Sequence, residues 1–145
     1  MFSHENLDLL ADAYLPLLAL LAIITLLRAV FLQHWRSLGR LVSILVSSLA
    51  IAYGLMLLDG QLALWRAFDL DYSTHTAVAM ALVGFLSLAT QGYVKALVAS
   101  LILYLGLVIY QGYHTPLDVL TTALAVGGIW STTVYALYRG ENLTA

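Results

Sequence analysis

Apolar residues in this chain fall into long runs, and the polar residues are concentrated in the short stretches between them. The first run is long enough to cross a hydrocarbon core of about 30 Å, because a helix rises about 1.5 Å per residue. The pattern predicts five transmembrane helices, over residues 9–32, 41–58, 75–90, 96–110 and 117–138. The predicted fold class is therefore all-α, a polytopic membrane helix bundle that forms one domain over residues 1–145.

The composition supports a lipid environment. Hydrophobic residues make up 62% of the chain and charged residues 10%, whereas soluble domains carry roughly 45–50% and about 25%. A chain of this length cannot hide so much apolar surface from water, so lipid must be its solvent. The net charge of −2 provides no basic surface for nucleic acid. The absence of cysteine excludes disulfides, thiol catalysis and thiolate metal sites.

The basic residues predict the orientation of the bundle. With five alternating helices, Arg66 lies on one side of the membrane and the other basic residues near helix ends lie on the opposite side: Arg28, Arg36, Arg40, Lys95 and Arg139. Basic residues are enriched on the cytoplasmic side of membrane proteins. We therefore expect the N-terminus outside and the C-terminus in the cytoplasm.

This orientation brings four reactive side chains to the outer rim of the bundle: His75, His114, Asp118 and Arg66. Titratable groups in or near a membrane are energetically costly and are functional candidates for that reason. Asp118 follows His114 by four residues, the spacing that places two side chains on one face of a helix. A carboxylate bonded to an imidazole fixes its tautomer and raises its basicity. We expect Asp118 to hydrogen-bond His114, and the rings of His75 and His114 to lie close enough to share a ligand.

The same residues also fit a purely structural role. Thr115, Pro116 and Asp118 form the pattern of a helix start, with a capping residue, a proline in the first position and an acid in the first turn. Ser73 is placed to cap the third helix in the same way. Each residue alone favours the structural interpretation, and the convergence of two histidines and an acid on one rim favours function.

Two segments resemble motifs of a known family. Val108–Leu120, VIYQGYHTPLDVL, resembles the third motif of the type 2 phosphatidic acid phosphatase superfamily, in which a histidine precedes an aspartate by four residues. Tyr72–Ala77, YSTHTA, is similar to the second motif, Pro-Ser-Gly-His. The first motif, Lys, six residues, Arg-Pro, would fall on Asp59–Ala67, with Arg66 on its arginine. The resemblance covers about residues 41–128, with the motifs in family order.

The chain departs from the family pattern at several positions. Asp59 replaces the family's lysine, Val108 its second arginine, and Tyr72 and Thr74 the proline and glycine of the second motif. The family usually has six membrane helices, and this pattern predicts five. Of three cationic positions for the phosphate, Arg66 alone remains.

The resemblance implies a mechanism in which His114 attacks phosphorus and forms a phosphohistidine, while Asp118 holds its imidazole. His75 would protonate the leaving oxygen and later activate water. The implied ligands of the phosphoryl oxygens are Arg66, the Ser73 hydroxyl and the Thr74 backbone N–H. No metal and no cofactor are expected. The implied substrate is a membrane lipid phosphate, or a prenyl phosphate or diphosphate, because the site would open at the outer leaflet.

The resemblance also suggests a location and partners. We expect a bacterial inner (plasma) membrane with the site facing outside, and either a homo-oligomer or a membrane partner protein that completes a cleft.

Two other classes of function fit the same residues. His75, His114 and Asp118 could bind a metal with an open position for water, as in a metal-dependent membrane hydrolase. Alternatively, the chain is a catalytically degenerate membrane subunit that binds lipid or a partner protein. Val108 and Asp59 favour this last interpretation, and the retained histidines argue against it.

Overall fold

Five α-helices account for most of the described chain. The structure is a computed structural model that describes residues 4–142. The helices are α1 (His4–Phe31), α2 (Trp35–Leu62), α3 (Thr74–Ala89), α4 (Val94–Tyr110) and α5 (Pro116–Asn142). Short 3-10 helices at Arg66–Phe68 and Gln91–Tyr93 lie on either side of α3. The predicted all-helical class is confirmed.

Four helices are long and apolar enough to cross a membrane, which is the character of an integral membrane protein. They comprise Leu7–Phe31, Trp35–Leu62, Gln91–Tyr110 and Pro116–Leu137. Large apolar side chains face outward along these helices; Leu103, for example, is 75% exposed. In water so extensive an apolar surface would promote association, whereas in lipid it is the favourable arrangement.

The third predicted helix is the exception to this pattern. α3 has 16 residues, so it is about 24 Å long and shorter than a hydrocarbon core of about 30 Å. It lies at the centre of the bundle and packs against each of the other four α-helices. Alanines on α3, among them Ala77, Ala79 and Ala81, are fully buried, and such small side chains let neighbouring helices approach closely.

Helix bounds differ from the predicted apolar runs mainly in the polar connections. α2 begins at Trp35 and ends at Leu62, whereas its apolar run covers residues 41–58. The helix continues through both polar ends because backbone hydrogen bonding does not require apolar side chains. α2 stops where Ala63 adopts a left-handed conformation, with φ of 52°.

Side-chain hydrogen bonds join helices that are distant in sequence. Tyr14 on α1 shares a bond of 3.0 Å with Ser100 on α4. Trp130 on α5 donates from Nε1 to the Ser48 hydroxyl on α2 at 2.8 Å. The Tyr72 hydroxyl donates to the Ala52 carbonyl at 2.7 Å. In lipid, where the apolar effect between helices is weak, such bonds and close packing hold a bundle together.

Gly84 provides a test of the packing between α3 and α5. A Cβ atom at this position would lie 2.8 Å from Cζ2 and 2.9 Å from Cε2 of the Trp130 ring. Gly84→Ala is therefore expected to lower the free energy of unfolding by about 1–3 kcal/mol, because the indole must move away from Ser48. Gly106→Ala is the control, since nothing lies within 4 Å of its added carbon. Unfolding both variants in mixed micelles measures the difference, and equal stabilities would contradict this packing.

Candidate functional site

The two histidines predicted at one rim lie side by side. His75 is the second residue of α3, and His114 ends the connection between α4 and α5. Their ring centroids are 6.1 Å apart, with the ring planes tilted by 59°. His75 is exposed and His114 is partly buried. The predicted proximity of the imidazoles is confirmed, and it arises because α3 and α4 form a hairpin that returns the chain to the start of α3.

Asp118 caps α5 instead of orienting His114. Its Oδ2 accepts a hydrogen bond from the Thr115 N–H at 2.8 Å, and its own N–H donates to the Thr115 hydroxyl at 3.2 Å. Oδ1 accepts from the backbone N–H of Asp71 at 2.8 Å. The predicted direct bond between Asp118 and His114 is therefore wrong, because helix starts leave N–H groups that need acceptors and Asp118 provides them. The predicted helix start with Pro116 in the first position is confirmed.

The Asp118 cap also positions α3 relative to α5. Asp71 precedes α3, and its bond to Asp118 attaches this connection to the first turn of α5. One turn further, the Ser73 N–H donates to the Thr122 hydroxyl at 3.1 Å, and both residues are fully buried. These two bonds fix the start of α3, and with it His75, beside the segment that carries His114.

Ser73 has the capping role that its position predicts. Its hydroxyl accepts a bond from the Thr76 N–H at 3.3 Å and shares another of 2.8 Å with the Thr76 hydroxyl. Thr74, the first residue of α3, is partly buried and lies next to His75. Of the two, the backbone N–H of Thr74 is therefore the group better placed to meet a ligand at the imidazoles.

Cationic side chains are not joined to the imidazoles. Arg66 is exposed in a separate 3-10 helix, and no hydrogen bond or ion pair among the described residues links its guanidinium to His75 or His114. Val108, which occupies the family's second arginine position, is fully buried against Ala79 and other apolar residues of α3 to α5. An arginine at position 108 would place an unpaired charge in this core.

Asp71 and Tyr113 belong to the surroundings of the histidines, and the sequence analysis did not single them out. The ring of Tyr113 stacks on His75, with centroids 5.9 Å apart and planes inclined by 18°. Burial lowers the pKa of His114 from its ordinary value of 6.5, and the negative charges of Asp71 and Asp118 counteract part of this shift. The only signal in the sequence was adjacency: Asp71 directly precedes one motif segment and Tyr113 directly precedes His114.

An apolar cleft begins at His75. It lies between α1, α2 and α3, has a volume of 430 Å³ and includes Thr74 and His75 at one end and Leu82 further along α3. Tyr53 is the other polar side chain in its lining, and the remaining residues are apolar. The cleft runs along α3 for about 10 Å, the length of the seven residues from His75 to Leu82.

The described residues contain no group of three or more histidine, cysteine, aspartate or glutamate side chains arranged to hold a metal ion. The alternative metal site of His75, His114 and Asp118 is therefore not formed, because the oxygens of Asp118 face backbone donors. No protein-family model, curated protein or solved structure matches the chain.

Proposed function

We propose that the chain is a membrane-embedded phosphatase-like protein, similar to the type 2 phosphatidic acid phosphatases, that hydrolyses a lipid or prenyl phosphate or diphosphate. The observation that carries this proposal is the 6.1 Å separation of the His75 and His114 rings. Groups that exchange protons or attack a substrate must come within about 3 Å of it. One phosphoryl group between the two rings can meet that requirement for both.

In the proposed reaction, neutral His114 attacks phosphorus, so that an N–P bond forms as the P–O bond to the lipid breaks. His75 gives its proton to the departing oxygen. His75 then takes a proton from water, which attacks the phosphohistidine and releases inorganic phosphate. The lowered pKa of His114 supports its role, because an imidazole must be neutral to act as a nucleophile.

Backbone groups take over part of the phosphate binding in this proposal. α3 starts at Thr74 and α5 at Pro116, so both helix N-termini lie next to a histidine. Helix N-termini carry partial positive charge and free N–H groups, which bind phosphate. The Thr74 N–H is the proposed ligand, and Arg66 is a candidate for approaching the rim when substrate binds. The Ser73 hydroxyl keeps its capping role.

The cleft beside His75 supports a lipid substrate. A phosphate at the imidazoles would place its attached chain at the mouth of a cleft lined almost entirely by apolar residues. Binding sites for apolar ligands have this composition, with a few polar groups that fix the orientation. A soluble phosphate ester has no group to fill such a cleft.

The proposed topology has five membrane spans, with α3 as the third and the start of α1 outside. Gln61 and Tyr93 are both exposed and lie at opposite ends of α3. In intact cells, a cysteine introduced at Gln61 is expected to react with an impermeant thiol reagent, while one at Tyr93 stays unlabelled. The chain has no cysteine of its own, so the background is clean. The reverse labelling pattern would contradict the outward-facing site.

A second candidate is a non-catalytic protein that binds the same lipids. Two observations favour it: Asp118 is occupied in capping α5, and Val108 is buried where the family has an arginine. Such a protein would bind a lipid phosphate without turning it over.

Phosphate release distinguishes the two candidates. Purified protein in detergent micelles is incubated with a prenyl diphosphate or with phosphatidic acid, and inorganic phosphate is measured over time. The proposed hydrolase releases phosphate in proportion to protein concentration. Binding of the same lipids without any release would replace the hydrolase proposal with the second candidate.

A further inference from the structure

A second polar cluster lies on the other side of Tyr113, between α1 and α4. Asp8 and Asp12 are one turn apart on α1 and are exposed. Gln111, which follows α4, donates from Nε2 to Oδ1 of Asp8 at 2.5 Å. The Tyr104 hydroxyl on α4 faces Asp12 and Tyr113. Five oxygen-bearing side chains from two helices and a connection therefore meet at the end of the bundle that carries the histidines.

Two polar atoms in this cluster are buried without a hydrogen-bond partner among the described residues. Tyr104 is only 4% exposed, and its hydroxyl bonds to nothing. Oε1 of Gln111 is in the same condition. Because Nε2 of the same amide bonds Asp8, this oxygen lies within a few ångströms of the Asp8 carboxylate. A buried polar group with no partner costs about 1–3 kcal/mol, so a ligand that satisfies both atoms would be stabilising.

The position of Tyr104 is held independently of its hydroxyl. Its ring stacks on Tyr14 with centroids 4.2 Å apart, and the Tyr14 hydroxyl bonds Ser100. The Tyr104 oxygen is thus kept in one place beside Asp12. This arrangement is typical of a preorganised ligand and not of a side chain that has simply been left unpaired.

We infer that Asp8, Asp12, Gln111 and Tyr104 form a binding site for a divalent cation of the calcium class. The ligands would be the two carboxylates, the Gln111 Oε1 and the Tyr104 hydroxyl. All are oxygens, which calcium and magnesium prefer over the nitrogen and sulfur ligands chosen by zinc and copper. The site is open and its carboxylates are flexible, which suits the irregular coordination of calcium better than the strict octahedron of magnesium.

Cation binding would change the charge beside the histidines. Asp8 and Asp12 bring two negative charges close to Tyr113, which stacks on His75. A bound divalent cation cancels them and removes a repulsion that any anionic lipid would meet at this rim. The cation takes no part in bond breaking, and its binding does not depend on His114 being a nucleophile.

Terbium luminescence tests the site directly. Tb³⁺ replaces calcium and emits when nearby tyrosines are excited, so titration of the purified protein in neutral micelles reports binding, and competition by Ca²⁺ gives its affinity. For an open site with two carboxylates, the expected calcium dissociation constant is roughly 10⁻⁴–10⁻³ M. Asp8→Asn and Asp12→Asn should each weaken binding about tenfold or more. Asp69→Asn, an exposed acid outside the cluster, should have no effect.

Tyr104→Phe separates a built site from general attraction by surface acids. This variant keeps the stacked ring and both carboxylates and removes only the unpartnered hydroxyl. Weaker terbium binding in Tyr104→Phe, together with the losses in the aspartate variants, supports the site. The inference is overturned if Tb³⁺ and Ca²⁺ do not bind at millimolar concentration. It is equally overturned if Tyr104→Phe binds as wild type does, or if Asp69→Asn is as weak as Asp12→Asn.

Discussion

Replacing His114 with alanine is expected to abolish release of phosphate from a prenyl or lipid phosphate, by roughly 10³-fold or more. The reason is that no other neutral nucleophile lies next to His75 in the proposed site. His75→Ala should have a loss of similar size, since the leaving oxygen then departs without a proton. Because nucleophile and acid act as a unit, the double variant should lose little more than either single one.

His34→Ala is the matched control for these histidine variants. His34 is exposed in the connection between α1 and α2. That connection is at the far end of α1 from Asp8, whose bond to Gln111 marks the end that carries the site. Its turnover should equal that of wild type. If His114→Ala retains full turnover while remaining folded, the phosphohistidine mechanism is excluded.

The pH dependence of turnover should reflect the pKa of His114. Burial lowers this pKa below 6.5, so the imidazole stays neutral to a lower pH, and the acidic limb of kcat/KM should lie below 6.5. Asp71→Asn should move that limb to still lower pH, because the Asp71 carboxylate raises the pKa of His114. The folded protein binds fewer protons here than the unfolded chain does, so its stability should fall as the pH drops through this range. An NMR titration of the imidazole checks the pKa directly.

Replacing Asp118 with alanine is expected to lower the free energy of unfolding by about 2–4 kcal/mol, because the backbone N–H groups of Thr115 and Asp71 both lose their acceptor. Asp118→Asn keeps one oxygen and should lose roughly half as much. Turnover should fall in parallel, since the same bonds fix the start of α3 beside His114. Unfolding in mixed micelles and phosphate release at low temperature measure the two effects.

Asp71→Asn is the control for stability. The bond from Asp71 to Asp118 uses the backbone N–H, which the substitution leaves in place, and the Asp71 side chain is exposed. Its stability should match wild type. A direct catalytic role for Asp118 would give a different result: Asp118→Asn would lose turnover with no loss of stability.

The helical class and the approximate place of each helix could be predicted from hydrophobicity alone. Lipid provides no hydrogen bonds to the backbone, so each long apolar run must form a helix. The cap formed by Thr115 and Asp118 was also predictable, because it depends on residues three apart in one turn. The ends of α2 were not, since its helix continues through polar residues that have no apolar pattern.

The partner of Asp118 shows why the site could not be derived completely. Spacing of four residues from His114 allows a contact, but the carboxylate is also within reach of its own helix start and of the backbone at Asp71. Which donor it takes depends on where the connection before α3 lies. That is a matter of packing between distant segments.

By itself, the sequence determined that this protein is a helical membrane bundle and that two histidines stand at helix starts, because both properties follow from local hydrophobicity and from the capping of exposed N–H groups. The tertiary structure decided the 6.1 Å approach of His75 to His114, the burial of Val108 and the cluster around Tyr104. These depend on how α3 fits among the other helices. Such packing joins residues far apart in the chain, and no local pattern encodes their distance.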